Sequence, residues 1–494
     1  MQTHWITLVI IAIYLVACLV VGFWASRKQT SMHEFYLAGR RLGPIVVGLA
    51  VSSTVMSGFG WVGGFGTLYH TGLHLWVLTM GATFGTLFAY LFMAKPIRVY
   101  SEQHNMITFT DFFNLRYKSP TASLVATIGI LCGMIGYLMT NMQALGKMGQ
   151  VLLGIDYNVA LIIGTVVLGV YCIGGGMLAS ALTDAFQAIM MVVSSFIFIG
   201  IALYQGGGFT HINETVTNFN INNSMFWHDG PPFNWVWALG SFAIYVFGVA
   251  AQPHVVSKFN QIQKVSKLGR CMIIGTVSYF IVGIAMYAGF ASRALTIMGK
   301  FPDMTGQSDL ISTTFAIKFM HPIFSGLVLG AVLAAIMSTA DGIICSLSAI
   351  LTKDIFLRYF IKKEKTDKQE VLIARIFSFA VIVIGFLMVL RPPTVVTWLG
   401  NGAWGLLSAV NIPLIVIGMR WKRGNKYGAI AASFVAVIVG LGLILAKFAF
   451  KVVLPVDFTI IACAASILTY VIVSLCTKPT ENAIFPTASM KQKA

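Results

Sequence analysis

Along this chain, apolar runs of about twenty residues alternate with short polar connections. A run of that length crosses the ~30 Å hydrocarbon core of a bilayer as a single helix. The runs fall at 4–26, 43–69, 74–94, 121–153, 158–173, 180–205, 234–252, 271–293, 322–350, 371–390, 393–419, 427–449 and 457–477, and the pattern predicts thirteen helices, α1 to α13. The first run is too long for a signal-peptide core. It is also followed by Arg27-Lys28 rather than a small-residue cleavage site, so it reads as a retained span. The expected fold class is an all-α polytopic membrane protein.

Composition agrees. Of 494 residues 57% are apolar and 10% charged, against about 25% charged in a soluble domain, and the mean hydropathy is +0.83. A net charge of +17 would suit nucleic acid, but the basic residues sit in the short connections, so they read as topogenic and no nucleic-acid partner is expected. The seven cysteines lie within or at the ends of apolar runs without ligand spacing, and read as small core residues.

Connections after α1, α3, α7, α9, α11 and α13 hold most of the Lys and Arg: Arg27, Lys28, Arg40 and Arg41; Lys95, Arg98, Arg116 and Lys118; Lys258, Lys264, Lys267 and Arg270; Lys353 through Arg375; Arg420 through Lys426; and Lys478, Lys491 and Lys493. The opposite side has chiefly Arg293, Lys300, Lys318, Arg391 and Lys451, and its longest loop, 206–233, has none. The positive-inside rule then predicts a cell membrane protein with its N-terminus outside and its C-terminus in the cytoplasm.

Setting α1 aside, α2–α6 start inside and α7–α11 start outside. Two five-helix units of opposite topology are what an inverted repeat requires. The expected organisation is α1 and a first cytoplasmic loop over 1–42, the first repeat over 43–205, and an extracellular loop over 206–233. The second repeat follows over 234–419, then two C-terminal helices and a short tail over 420–494. Each repeat opens with an interrupted helix. In α2 the sequence Ser52-Ser53-Thr54-Val55-Met56-Ser57-Gly58 weakens regular helix, and in α7 Pro253 removes an intrahelical donor. Small residues that only pack closely would give the same pattern in α2.

The membrane-embedded polar inventory is short. Of sixteen acidic residues, Asp184 and Asp341 fall inside or at the edge of an apolar span. An intramembrane carboxylate points to function, with a helix-capping or hydrogen-bonded carboxylate as the alternative. In α9, Ala335, Ser338 and Thr339 stand at i, i+3 and i+4, so a carbonyl and two hydroxyls share one face. With carbonyls of an unwound α2 near Ser53 and Met56 they offer five oxygens of little formal charge, which suits Na+ better than a divalent ion. The alternative is that the hydroxyls only back-bond to their own helix.

These residues resemble the sodium/solute symporter family. Four motifs carry the likeness: Gly175-Gly176-Met177-Leu178-Ala179 with Thr183-Asp184 and Gln187; Ala335-Ile336-Met337-Ser338-Thr339 with Thr352-Lys353-Asp354-Ile355; Met56-Ser57-Gly58; and Gln252-Pro253-His254 with Lys258-Phe259, where relatives often have Arg-Phe. The resemblance implies a LeuT-like core of two inverted five-helix repeats with flanking helices. It implies a Na+ site of the Ser53, Met56 and Ala335 carbonyls and the Ser338 and Thr339 hydroxyls. Some members hold a second Na+ further in, at the acid matching Asp184 and one turn along α9, where this chain has Asp341. A second ion, a proton site or an Asp–hydroxyl hydrogen bond are the options there. Proline carriers of the family have an Asp at the position of Val55, and a Trp and a Tyr where this chain has Tyr245 and Val249. The stretch Arg391-Pro392-Pro393 through Trp398-Leu399 and Ala403 looks somewhat like pantothenate carriers.

The expected function is secondary active uptake of a small organic solute, an amino acid or a monocarboxylate, with Na+ as coupling ion and no obligatory protein partner. The expected pocket lining is Val55, Ser57 and Gly58 on α2, Asn141 and Gln143 on α4, Tyr245 and Val249 on α7, and Trp404 on α11. Interhelical hydrogen bonding is the other role open to Asn141 and Gln143. His254 is expected as an inner gate element or as an interfacial histidine. The rivals are a proton-coupled carrier using Asp341 and Asp184, and a transporter-like sensor. An enzyme has no nucleophile–base pair, metal cluster or phosphate loop to rest on; Gly174-Gly175-Gly176 is followed by no Gly-Lys-Ser/Thr.

Overall fold

The computed structural model describes residues 3–226, 234–361, 365–391, 396–448, 450, 452, 456–481 and 483–485. Lys451, Lys491, Lys493, Pro392-Pro393 and the side chain of Trp398 lie outside the described residues. Among those residues the backbone is helical with no strand. Extended segments meet at an isolated bridge, Leu42 with Ile262.

Each predicted run forms helix, with ends set by local chemistry. α1 is Trp5–Ser26. α4 is Pro120–Leu153, which opens on a Ser119 cap with proline in its first turn and closes on Gly154 at φ 64°. α10 is Asp367–Val389, started by a Thr366/Gln369 capping box. α12 is Lys426–Phe448 and α13 is Phe458–Cys476, capped by Asp457. α8 is Leu268–Ala285 continued by Tyr287–Ile297, and α9 is Pro322–Ala349 continued by the wider turns of Ile350–Phe360.

The boundaries between α5 and α6 and between α2 and α3 are sharp breaks at single glycines. Tyr157–Gly206 is helical on both sides of a kink inside the glycine-rich stretch predicted as a connection, which separates α5 from α6. Gly176 alone leaves the helical region inside it, at φ 52° and ψ −152°. A side chain there would meet the Phe35 carbonyl oxygen at 2.6 Å, so the break needs glycine on both counts. Likewise Gly72, at φ 79° and ψ −153°, ends the second part of α2 (Gly64–Thr71) before α3 begins. Among the described residues ten helices are long and apolar enough to cross a membrane, or eleven with the bent pair of α7. Thirteen spans thus stay an expectation from the sequence.

Both predicted interruptions are present. α2 is Pro44–Val55, then Met56 in extended backbone (φ −82°, ψ 110°), then the wide turn Phe59–Gly63 and Gly64–Thr71. α7 is Trp235–Ala250, a break at Ala251 and Gln252, then the half-helix Pro253–Phe259 turned by 47°. Asn411, at the end of the α11 helix Val396–Asn411, donates its Nδ2–H to the freed Ala251 carbonyl at 2.8 Å. Among the described spans α9 and the α11 stretch Leu399–Ile417 lie deepest, each 83% buried over its most apolar window, whereas α1 and α12 are 28% buried. Ile13, Val16, Val20 and Phe23 of α1 and Phe434 and Ile438 of α12 are exposed, the lipid-facing surface of flanking helices.

Candidate functional site

α2 breaks because Ser and Gly crowd the positions where the chain passes α9. The break leaves carbonyls with no partner inside their own helix, and α9 meets them with hydroxyls. Ser338 Oγ donates to the Ser53 carbonyl at 3.0 Å and to the Ala335 carbonyl at 3.2 Å. Thr339 Oγ1 lies 3.1 Å from the Thr54 carbonyl, 3.3 Å from that of Met56 and 3.3 Å from that of Ala335. All five predicted oxygen donors are therefore brought together, with Thr54 as a sixth. The hydroxyls bond across to α2 as well as back to α9, so back-bonding alone does not account for them. Ligands about 2.3–2.6 Å from a hard cation and at right angles are roughly 3.3–3.7 Å apart. The oxygens here stand slightly closer than that, held by the hydroxyl hydrogens an entering ion would turn aside.

One turn further along α9 lies a charged cluster. Asp184 and Asp341 are fully buried, and so is Lys258 on the half-helix of α7. Lys258 Nζ is 2.5 Å from Asp184 Oδ2 and 2.6 Å from Ser180 Oγ. Thr54 Oγ1 donates to Asp184 at 3.2 Å. Asp341 accepts from Ser180 Oγ and Tyr171 Oη, each at 3.0 Å. The sequence counted Lys258 among the cytoplasmic charges of a connection. The structure corrects this: the residue is inside, because the α7 break bends its half-helix against α6 and α9.

Above the α2 break a small cavity is lined by Val55, Met56, Ser57, Gly60, Gly64, Leu75, Leu78, Thr79, Ala82, Tyr137, Tyr245, Tyr279, Met286 and Trp404. About 30 Å³ of it is open to the centre of a water molecule, room for one or two waters. Four expected pocket residues line it: Val55, Ser57, Tyr245 and Trp404. The Tyr245 and Trp404 rings stack at 5.0 Å, and Tyr137 meets Trp404 edge-on at 5.9 Å.

The other four do not line it. Gly58 is in the packed break, where a methyl group would lie 2.9 Å from Ala144 Cβ and 3.0 Å from Ile336 Cγ1. Asn141 ties two helices, accepting from the Gly58 N–H at 3.0 Å and donating to the Tyr137 carbonyl at 2.9 Å. Gln143 is buried on the same helix. Val249 packs on α3, 2.8 Å from where a Gly85 side chain would begin. His254 is fully buried with its ring 5.6 Å from Tyr137, which removes the interfacial alternative.

Sequence reasoning missed the α3 and α8 side of the cavity, from Leu75 to Ala82 and at Tyr279 and Met286. These are mostly apolar residues in apolar runs and carry no polar signal. The remaining motif residues are structural. Gln187 donates to Tyr14 Oη at 2.7 Å, tying α6 to α1. Lys353 pairs with Asp111 at 2.6 Å, while Asp354 accepts from Thr108 at 3.1 Å and from Thr110, clamping the inner end of α9. Buried Asp354 also extends the acid inventory beyond the two residues expected.

The profile of the family described as Sodium:solute symporter family matches residues 35–436. The osmoregulated proline transporter OpuE of Bacillus subtilis (strain 168) is 29% identical over 430 residues, 86% of each chain. The sodium/proline symporter of Staphylococcus aureus (strain JH9) is 26% identical over 436 residues, 87% of this chain and 84% of the relative. Among solved structures, a Na+-coupled sialic acid symporter in a substrate-bound outward-open state superimposes with TM-score 0.78 at 18% identity, covering 97% of this chain and 99% of that one. The nucleobase-cation-symport transporter Mhp1 superimposes with TM-score 0.53 at 13% identity, covering 94% and 98%. The fold is thus the LeuT-like one that the family resemblance implied. The chain belongs to the sodium:solute symporter family: it is a multi-pass membrane transporter, not an enzyme, and Na+ is its coupling ion.

Proposed function

We propose that the protein imports a small zwitterion of the amino-acid class, proline or a near analogue, with Na+ held by the Ser53, Met56 and Ala335 carbonyls and the Ser338 and Thr339 hydroxyls. The single observation that carries the ion site is the convergence of these oxygens between a broken α2 and an intact α9. Proline as substrate class is drawn from the names of the two relatives above. The aromatic lining of Tyr137, Tyr245, Tyr279 and Trp404 suits a compact ring or alkyl body. Freed N–H groups at the α2 and α7 breaks would receive its carboxylate.

In this reading external Na+ binds between α2 and α9 and favours the outward-open arrangement. The solute then enters beside it, and the two repeats rock to release both inward. Each ligand shifts the equilibrium only by its differential affinity for the two states. The N-terminus is outside and the C-terminus cytoplasmic, as the distribution of basic residues requires. Val55, where proline carriers of the family have an acid, makes the pocket less polar than theirs, so the solute is recognised by shape and aromatic contact more than by an ion pair.

The experiment is uptake of labelled proline into proteoliposomes holding the purified protein, with and without an inward Na+ gradient. Concentrative uptake that needs Na+ and is competed by proline analogues supports the reading. Absence of proline uptake, with Na+-dependent uptake of a labelled monocarboxylate in its place, would replace the solute class while leaving the sodium site standing.

A further inference from the structure

Lys258 is in the last turn of Pro253–Phe259, where a basic residue near a span end would ordinarily reach water. Its side chain is instead fully buried. The ammonium touches two oxygens of α6, Asp184 Oδ2 at 2.5 Å and Ser180 Oγ at 2.6 Å, both bound in turn to other members of the cluster on α2 and α9. Asp184 Oδ2 also accepts from Thr54 Oγ1 at 3.2 Å and from Ser180 Oγ at 3.4 Å, and Ser180 relays to Asp341 Oδ1 at 3.0 Å. Two carboxylates and two hydroxyls converging in a dry interior are the donor set of a hard cation. Here the centre of that set is already taken by a positive charge carried on the chain.

We propose that Lys258 is a tethered cation. Its ammonium fills a second cation site between α2, α6, α7 and α9, so that the solute moves with a single Na+. Charge balance supports this, because the ammonium and one Na+ at Ser338 and Thr339 match the two carboxylates of the layer. A second free cation would leave an uncompensated positive charge in a low-dielectric interior. Position supports it too. Thr54 joins the two sites, its hydroxyl on Asp184 and its carbonyl accepting from Thr339. The ammonium therefore couples the α7 half-helix to the α2 break beside which Na+ binds. The proposal rests on the assignment of the first sodium site.

The test compares the full-length protein with Lys258→Met and with the charge-balanced pair Asp184→Asn/Lys258→Met in proteoliposomes, reading the ²²Na+-to-solute flux ratio and the Na+ dependence of uptake. The wild type should give a ratio of one and a hyperbolic Na+ curve. Lys258→Met leaves Asp184 without its cation. It should lose uptake at low Na+ and regain it at high Na+ along a sigmoidal curve, or regain it with added methylammonium. The charge-balanced pair should keep a ratio of one, which decides the matter if the single variant does not fold. A wild-type ratio of two overturns the proposal, and so does a hyperbolic curve of unchanged ratio in Lys258→Met. Failure of the first sodium site shows separately, as an unchanged Na+ affinity in Ser338→Ala.

Discussion

Ser338 and Thr339 each offer one hydroxyl to several carbonyls, so neither can be truncated without leaving part of the set exposed. A hydrogen bond or ligand contact to a charged group contributes about 1.5–3 kcal/mol. Ser338→Ala and Thr339→Ala should each raise the Na+ concentration for half-maximal uptake by roughly 10- to 150-fold, measured with saturating solute. Gly176 is a different kind of residue, since its backbone and not its chemistry is what the fold uses. With φ 52° and ψ −152° it occupies a region costing other residues about 1–3 kcal/mol, and the Phe35 carbonyl blocks a side chain. Gly176→Ala should lower the thermal midpoint of the detergent-solubilised protein by several degrees without shifting Na+ affinity in what remains folded. The hydroxyl pair was legible in sequence because a helix repeats at i, i+3 and i+4. Lys258 was not, because a lysine beside a span end obeys the topogenic rule until the bend of α7 is known. Its one signal was position: it follows Pro253 by five residues, so a helix restarted at the proline carries it one turn further on, against α6.

The broken helices are where the elements depart from their own ideal and where the site is made. In α7 the break exposes the Ala251 carbonyl, and α11 answers it with Asn411 Nδ2 at 2.8 Å. Asn411→Leu removes the donor and leaves a buried carbonyl unsatisfied, at a cost of about 1–3 kcal/mol. The variant should melt earlier and transport more slowly, while a Na+ titration of its residual uptake stays near wild type because Asn411 does not touch the ion's oxygens. Both breaks could be read from sequence, since Pro253 forbids one hydrogen bond and the Ser/Gly run of α2 weakens several. The break between α5 and α6 could be read too, but not how short it is. Gly174-Gly175-Gly176 reads as a connection several residues long, and close packing of Gly175 on Gly22 and of Gly176 on Phe35 confines the turn to Gly176. Local preference places the break there, and tertiary contact sets its length.

At the scale of the whole molecule, the charges moved and the direction they face determine what the membrane potential can do. An internally tethered ammonium stays with the protein, so with one Na+ per cycle the net charge carried is set by the solute. A zwitterion leaves one positive charge to move inward, which the field favours by about 2.3 kcal/mol per 100 mV, roughly a 50-fold gain in accumulation. A monocarboxylate cancels the charge of Na+, and its uptake should ignore the potential. Clamping proteoliposomes at zero and at 100 mV, interior negative, with equal Na+ gradients therefore separates the two solute classes. Orientation enters because only vesicles with the native cytoplasmic face inside respond in the physiological sense. That face can be marked by Glu481→Cys, expected on the cytoplasmic side, and His211→Cys, expected outside, in a background without the exposed Cys132 and Cys476. An impermeant thiol reagent added outside should label the second and spare the first. In vesicles sorted by that labelling, a roughly 50-fold rise in proline accumulation at 100 mV fits one Na+ with a zwitterion. A rise near the square of that figure would mean two free cations per cycle and would set Lys258 aside as the second.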